Sequence, residues 1–133
     1  MNKFRLQIVT PDGIEYDGEA ESLLVHTVTG DMEILAGHME MAAAVGTGRV
    51  RILTGEGKLF ASASGGFLTV SRGEVKLVCV TFELREDIDL ARAEASRLRA
   101  EEKIKNAKDD RALAAAKAKL ARAINRIKVA EMK

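Results

Sequence analysis

Residues 75–93, VKLVCVTFELREDIDLARA, hold the boundary between two architectures. Residues 75–82 form a short apolar run rich in β-branched and aromatic side chains, the composition of a strand packed into a core. From Asp87 the spacing turns helical, and Asp87 is placed to cap a helix running to about Lys105. Glycine usage breaks nearby. All 11 glycines lie between Gly13 and Gly73 and the single proline is Pro11, so the last 60 residues contain nothing that punctuates a helix. The expected fold class is α+β, with residues 1–84 as an antiparallel β-sandwich and 85–133 as a two-helix hairpin.

Toward the N-terminus, Phe4, Leu6 and Ile8 alternate with Lys3, Arg5 and Gln7, and the turn signal Thr10-Pro11-Asp12-Gly13 follows. Short runs recur at 23–28, 50–53, 58–63 and 67–70. They are separated by Thr29-Gly30-Asp31, Gly46-Thr47-Gly48, Thr54-Gly55-Glu56-Gly57 and Ser71-Arg72-Gly73, the plan of an all-antiparallel sandwich or flattened barrel. The lone cysteine, Cys79, sits in the apolar setting Leu77-Val78-Cys79-Val80 and reads as a core residue.

Toward the C-terminus, residues 106–110 make a polar break and a second helix begins at about Arg111. Its seam is strict: Leu113, Leu120 and Ile127 stand seven apart, as do Ala116, Ala123 and Ala130. The expected partner stripe on the first helix is Ile88, Ala91, Ala95 and Leu98, which predicts an antiparallel hairpin. Half of the second helix's seam is alanine, and alanine buries far less than the roughly 1.5–3 kcal/mol of a Leu or Ile, so the hairpin is expected to open easily.

Charge is divided along the same line. Residues 1–84 hold 7 Lys and Arg against 11 Asp and Glu, while 85–133 hold 14 against 9. The helical part carries no aromatic residue for base stacking and its acids are interspersed with its bases, which argues against nucleic acid. No apolar run approaches the roughly 18 residues of a membrane span. The first ten residues lack the plan of a signal peptide, so the expected compartment is the cytoplasm without membrane insertion. His26 and His38 have no Cys or second His at metal-ligand spacing. The serines lack nucleophile-elbow glycines, and none of the Gly-rich turns ends in Gly-Lys-Ser/Thr before a helix. These observations leave no residues for an enzyme's site.

Arginines are more informative. Arg92 and Arg99 share one face of the first helix, and Arg122 and Arg126 stand i, i+4 on the second. Folded together they are either a solvated basic face or a site for a polyanion, such as nucleotide phosphates or an acidic protein segment.

The whole chain, in order, resembles the epsilon subunit of bacterial F-type ATP synthase. The residues that carry the resemblance are Thr10-Pro11-Asp12-Gly13, the segment from Gly30 to His38 (GDMEILAGH), Ser64-Gly65-Gly66-Phe67-Leu68, the segment from Asp87 to Ala93 (DIDLARA) and the basic Ala-rich tail. The resemblance implies a sandwich of about ten strands followed by a hairpin, in a non-catalytic subunit of the central rotor. Its implied partners are the gamma subunit, the c-subunit ring and the alpha and beta subunits of the catalytic head, at the cytoplasmic face of the cell membrane. Asp31 and His38 are the implied rotor contacts. The Ile-Asp-x-x-Arg-Ala signature, Ile88, Asp89, Arg92 and Ala93, resembles the ATP-binding motif of the family's bacillus-type members, with Glu83, Arg99, Arg122 and Arg126 at the other nucleotide-contacting positions. ATP is therefore the implied regulatory ligand, with the magnesium requirement open, and the extended hairpin the implied inhibitor of ATP hydrolysis. In the loop around His38 this chain has Glu33, Ala36 and Glu40 where glycine, proline and proline are usual, which predicts a less rigid loop. Two other readings stand beside this one: a purely structural coupling subunit whose hairpin ignores nucleotide, with Asp89 only complementing the helix dipole, and a stand-alone nucleotide-binding or interaction protein.

Overall fold

The computed structural model describes residues 2–132. Seven strands form one sheet: β1 Phe4–Thr10, β2 Gly13–Ala20, β3 Ser22–Thr27, β4 Gly30–Leu35, β5 Met41–Thr54, β6 Gly57–Ser71 and β7 Glu74–Leu84, in spatial order β2-β1-β7-β6-β5-β3-β4. Strands β1, β3 and β7 form where the alternation and the apolar runs place them, whereas β2 and β4 lie outside the runs, and β5 and β6 continue through Gly46-Thr47-Gly48 and Ser64-Gly65-Gly66. In β1 the side chains of Phe4, Leu6 and Ile8 are buried, and they join Leu23, Val25, Ile34, Val50, Ile52, Leu68 and Leu77 in one core. Cys79 belongs to it.

Two expectations are refined. The sandwich of about ten strands is built from seven, because β5, β6 and β7 are long, 14, 15 and 11 residues, and serve both layers. Ladder pairing skips at His26 in β3, at Gly46-Thr47 in β5, and where Gly65 of β6 faces Val80 of β7, so one line of irregularities crosses four adjacent strands and lets the sheet double over. As a result β2 also approaches β5, with three strands between them in the sheet. Glycine is required at this fold line: a Cβ on Gly66, where φ is +150°, would stand 1.8 Å from the carbonyl oxygen of Val78. The second refinement concerns direction. β1 and β7 run parallel, not antiparallel, because β2 occupies one edge of β1 and β7, returning from β6, closes on the other.

A 3₁₀ turn at Arg85–Asp87 leads into α1 Leu90–Lys105 and α2 Asp110–Ala130. Asp89 rather than Asp87 caps α1, its side chain accepting from the Arg92 amide at 3.1 Å, because the preceding turn uses up residues 85–87. Asp109 caps α2 in the same way, accepting from Ala112 N at 2.7 Å. The α2 seam holds: Ala116 and Ala123 are buried and Leu113, Leu120 and Ile127 half-buried. The α1 stripe is corrected. Ala93 and Ala100 face α2, while Ala91 is exposed and Leu98 60% exposed, because two alanines seven residues apart match the Ala116/Ala123 spacing of α2 and let the helices approach. Small side chains on both sides bring the helices close.

Among the described residues the main contact of the hairpin with the sheet is made by α2, against β5 and β6. The contact explains why Ala61-Ser62-Ala63-Ser64 is buried on successive residues: alternate positions face the core and the rest lie under the hairpin. Asn125 donates to Ser62 Oγ at 2.8 Å across this seam.

Candidate functional site

Between the hairpin and the sheet lies a cleft of about 600 Å³. Its floor is largely polar, with Thr10, Asp12 and Glu15 around the β1–β2 turn, Ser62 and Ser64 from β6, and Thr81 and Glu83 from β7 next to the apolar Val80 and Phe82. Thr10 Oγ1 donates to Glu15 at 2.8 Å, and the Ser64 and Thr81 hydroxyls are 2.5 Å apart. The walls are cationic, with Arg92, Arg99 and Lys103 from α1 and Lys119, Arg122 and Arg126 from α2. On α1 the positions 92, 96, 99 and 103 repeat at helical spacing, so Ser96 shares the cleft face with the three cations. Arg99 donates to Ser96 Oγ at 3.1 Å.

Electrostatics leave most of these cations without counter-charge. Arg126 alone is paired, its Nε donating to Glu83 at 2.7 Å. The acids of α1 are spent elsewhere: Glu94 and Glu101 both hold Arg97, at 3.0 and 2.9 Å, on another face. Among the described residues, Arg92, Arg99, Arg122, Lys103 and Lys119 therefore form no ion pair. The neighbouring Lys103 ammonium, with Arg122 adding to it, pushes Lys119 below the usual lysine range. Free guanidinium forks converging from two helices suit a polyanion bound between them.

Of the residues singled out from sequence, Glu83, Arg92, Arg99, Arg122 and Arg126 come together around this cleft. Ile88, Asp89 and Ala93 do not line it. Ala93 is buried against α2, Ile88 is half-buried, and Asp89 is exposed at the start of α1 with one carboxylate oxygen engaged as the cap. Asp31 and His38 lie apart from the cleft and from each other, Asp31 near the start of β4 and His38 beyond its end. Asp31 accepts from His26 Nδ1 at 2.9 Å and from Arg49 at 3.3 Å, and the His26 hydrogen bond, with Arg49, lowers its carboxyl below the usual range. His38 Nδ1 contacts its neighbour's carbonyl, Met39 O, at 3.0 Å. Glu40 accepts from the Arg72 amide at 3.3 Å and so tethers the loop to the β6–β7 turn.

A second surface is apolar. The register places Val9, Val78, Phe67 and Ala44 in one row across β1, β7, β6 and β5, and Val28 joins it through the hydrogen bond its amide donates to Ala44 O. Phe67 and Val28 are 51% and 70% exposed.

Comparison with known proteins bears on the whole chain. The family model for the β-sandwich domain of the ATP synthase delta/epsilon chain matches residues 3–85, and that for its long α-helix domain matches residues 86–131. The chain belongs to the ATP synthase delta/epsilon family. It is 40% identical over 134 aligned positions to the ATP synthase epsilon chain of Lacticaseibacillus casei, covering 96% of this chain and 94% of that one. To the epsilon chain of Staphylococcus aureus it is 34% identical, over all of both chains. The same fold occurs in a chain of the Euglena gracilis mitochondrial ATP synthase, with TM-score 0.78 and 22% identity, covering 90% of this chain and 76% of that one. It occurs again in the central stalk and c-ring structure from Tetrahymena thermophila, with TM-score 0.64 and 14% identity over 95% of each. As a delta/epsilon chain it is a stalk subunit rather than a catalytic one, the catalytic sites lying in other subunits. Among the described residues no helix is long and apolar enough to cross a membrane.

Sequence reasoning misses several residues of this delta/epsilon cleft. Thr10, Glu15, Ser62, Ser64 and Thr81 reach it only through strand pairing, and no local signal marks them. Lys103 and Lys119 had such a signal, since each continues its helix's arginine face by one more turn.

Proposed function

We propose that this chain is the regulatory coupling subunit of the central rotor, whose hairpin binds ATP when closed and inhibits ATP hydrolysis when extended. One observation carries the reading: unpaired cations from both helices line a single cleft, so a phosphate chain held between them binds the closed hairpin and not the open one. Of the Ile88-Asp89-x-x-Arg92-Ala93 signature Arg92 lines that cleft, and Asp89 stands about one helical turn before it with one carboxylate oxygen left over from the cap to accept from an adenine amino group or a ribose hydroxyl. The exposed apolar row supports docking of the sandwich on the gamma subunit and the c-ring, at the cytoplasmic face of the membrane. The extended hairpin then meets the alpha and beta subunits of the head.

Calorimetric titration of the isolated chain with ATP tests the site. Arg99→Ala/Arg122→Ala removes two charge-assisted contacts of roughly 1.5–3 kcal/mol each, so affinity is expected to fall by about two to four orders of magnitude. Asp89→Asn keeps the helix cap and is expected to weaken binding more modestly. Deleting the chain after Glu86 in the assembled complex is expected to raise ATP hydrolysis while leaving rotor assembly intact. A wild-type chain that binds no ATP, in a complex whose hydrolysis is unchanged by the deletion, leaves the purely structural coupling role.

A further inference from the structure

The boundary between sheet and hairpin carries a contact that neither the cleft nor the apolar row uses. Arg85 opens the 3₁₀ turn where β7 gives way to the hairpin, and each of its three guanidinium nitrogens donates. Nε and Nη2 donate to one carboxylate oxygen of Glu86 at 3.2 and 2.8 Å, which fixes the plane of the fork. The Arg85 hydrogen bond holds the Glu86 carboxyl below the usual carboxylate range, so Glu86 stays charged and keeps the fork aimed. Nη1 is left to donate to the Met132 carbonyl at 3.1 Å, 47 residues along the chain and just past the end of α2. The guanidinium carbon stands 5.3 Å from the centre of the Phe60 ring. Phe60 alternates with Ser62 and Ser64 on β6, so it belongs to the face that the hairpin covers, two residues from the serine that holds Asn125.

These contacts differ in what survives opening. Glu86 adjoins Arg85 in the chain and Phe60 belongs to the sheet, so both stay in place when α2 lifts away, whereas Met132 leaves with the helix. The carbonyl bond, together with the pull of a guanidinium on the negative end of the α2 dipole, is therefore made in the closed state alone. A contact confined to one state is what shifts a two-state balance. Val129 is 1% exposed, so the last turn of α2 is seated where the clasp can hold it. We propose that Arg85 is a clasp at the hinge: braced on Phe60 and aimed by Glu86, it holds the end of α2 down and sets how often the hairpin opens, from outside the cleft and without any ligand. The inference rests on the reading that the hairpin leaves the sheet. Arginine suits this place, because its planar fork engages Glu86 with two nitrogens and the carbonyl with the third while its face lies on an aromatic ring, a combination that a lysine cannot make.

Amide hydrogen exchange of the full chain, without nucleotide, compares the wild type with Arg85→Gln, Arg85→Lys, Phe60→Leu and the double variant Phe60→Leu/Arg85→Gln. Arg85→Gln is expected to speed exchange in α2 by about fivefold or more, while β1 and β3 keep their protection. Arg85→Lys is expected to fall between the two, and Phe60→Leu to add little once Arg85 is gone. Unchanged exchange in α2, or a rise shared equally by β1 and β3, overturns the clasp. Effects of Phe60→Leu and Arg85→Gln that simply multiply in the double variant overturn it too. In the assembled complex Arg85→Gln is expected to slow ATP hydrolysis, the opposite of deleting the chain after Glu86. Faster α2 exchange beside an unchanged hydrolysis rate supports the clasp and overturns the inhibitor role instead. A wild-type α2 that exchanges no faster than β1 and β3 shows that the hairpin does not leave the sheet, and the clasp falls with that reading.

Discussion

Asp89 holds two duties at one carboxylate. As the cap of α1 it satisfies the Arg92 amide with one oxygen, worth about 1 kcal/mol of helix stability, and its second oxygen is not used by the cap. An alanine there removes both at once, which is why asparagine is the informative substitution. Cys79 is simpler. Burial, with a smaller contribution from Glu15, pushes its thiol from 9.0 up to about 11. A raised value means that the folded chain holds the proton more tightly than the unfolded one, so the stabilisation is complete below pH 9 and is lost as pH rises toward 11. Alkaline unfolding curves of wild type and Cys79→Ala are therefore expected to converge by roughly 2–3 kcal/mol over that interval. Parallel curves would remove the buried thiol from the account.

At the scale of elements, the hairpin is held by shape and by a few polar ties rather than by large apolar area, one of them Arg85 Nη1 donating from the 3₁₀ turn to Met132 O at 3.1 Å. Ala93 and Ala100 meet Ala116 and Ala123, leaving little to gain from burial, and α2 is fastened to the sheet by Asn125 to Ser62 and Arg126 to Glu83. Each tie contributes of order 1 kcal/mol, the ion pair being partly screened at 23% and 32% exposure. Ser62→Ala/Glu83→Ala is expected to raise amide hydrogen exchange throughout α2 by about tenfold or more while β1 and β3 keep their protection. Faster exchange in those strands as well would mean that hairpin and sheet unfold together.

At the scale of the molecule, the two cores are separate. The sheet's cluster runs from Phe4 to Cys79 with Phe82 and Leu84 packed on it, and none of the buried helix residues belongs to it. A fragment of residues 1–84 is expected to unfold cooperatively with strand circular dichroism, since its core does not need the hairpin. Loss of that transition would show that the helices complete the sandwich. The same separation permits a hairpin that leaves the sheet without unfolding it. Moving such an equilibrium from 1:99 to 99:1 takes about 5.5 kcal/mol of differential binding, within reach of a ligand gripped by several unpaired cations.

Local periodicity was legible without coordinates. The alternation of Phe4, Leu6 and Ile8, the loss of glycine after Gly73 and the heptads of α2 each depend on neighbours in the chain, so β1, the change from strands to helices and the two-helix hairpin were determined by sequence alone. The arginines of the cleft were legible for the same reason, as helical spacing places them on one face. What only the tertiary structure decided is everything that depends on distant partners. The parallel pairing of β1 with β7, the fold line through Gly46-Thr47, Gly65 and Val80, and the α1 face turned to α2 have no local signature, because each is selected by closing long-range hydrogen bonds and packing. The cleft's polar floor follows from that closure. Thr10 and Thr81 reach it only when β1 lies beside β7, a juxtaposition set by ladder hydrogen bonds between residues about 70 apart in the chain.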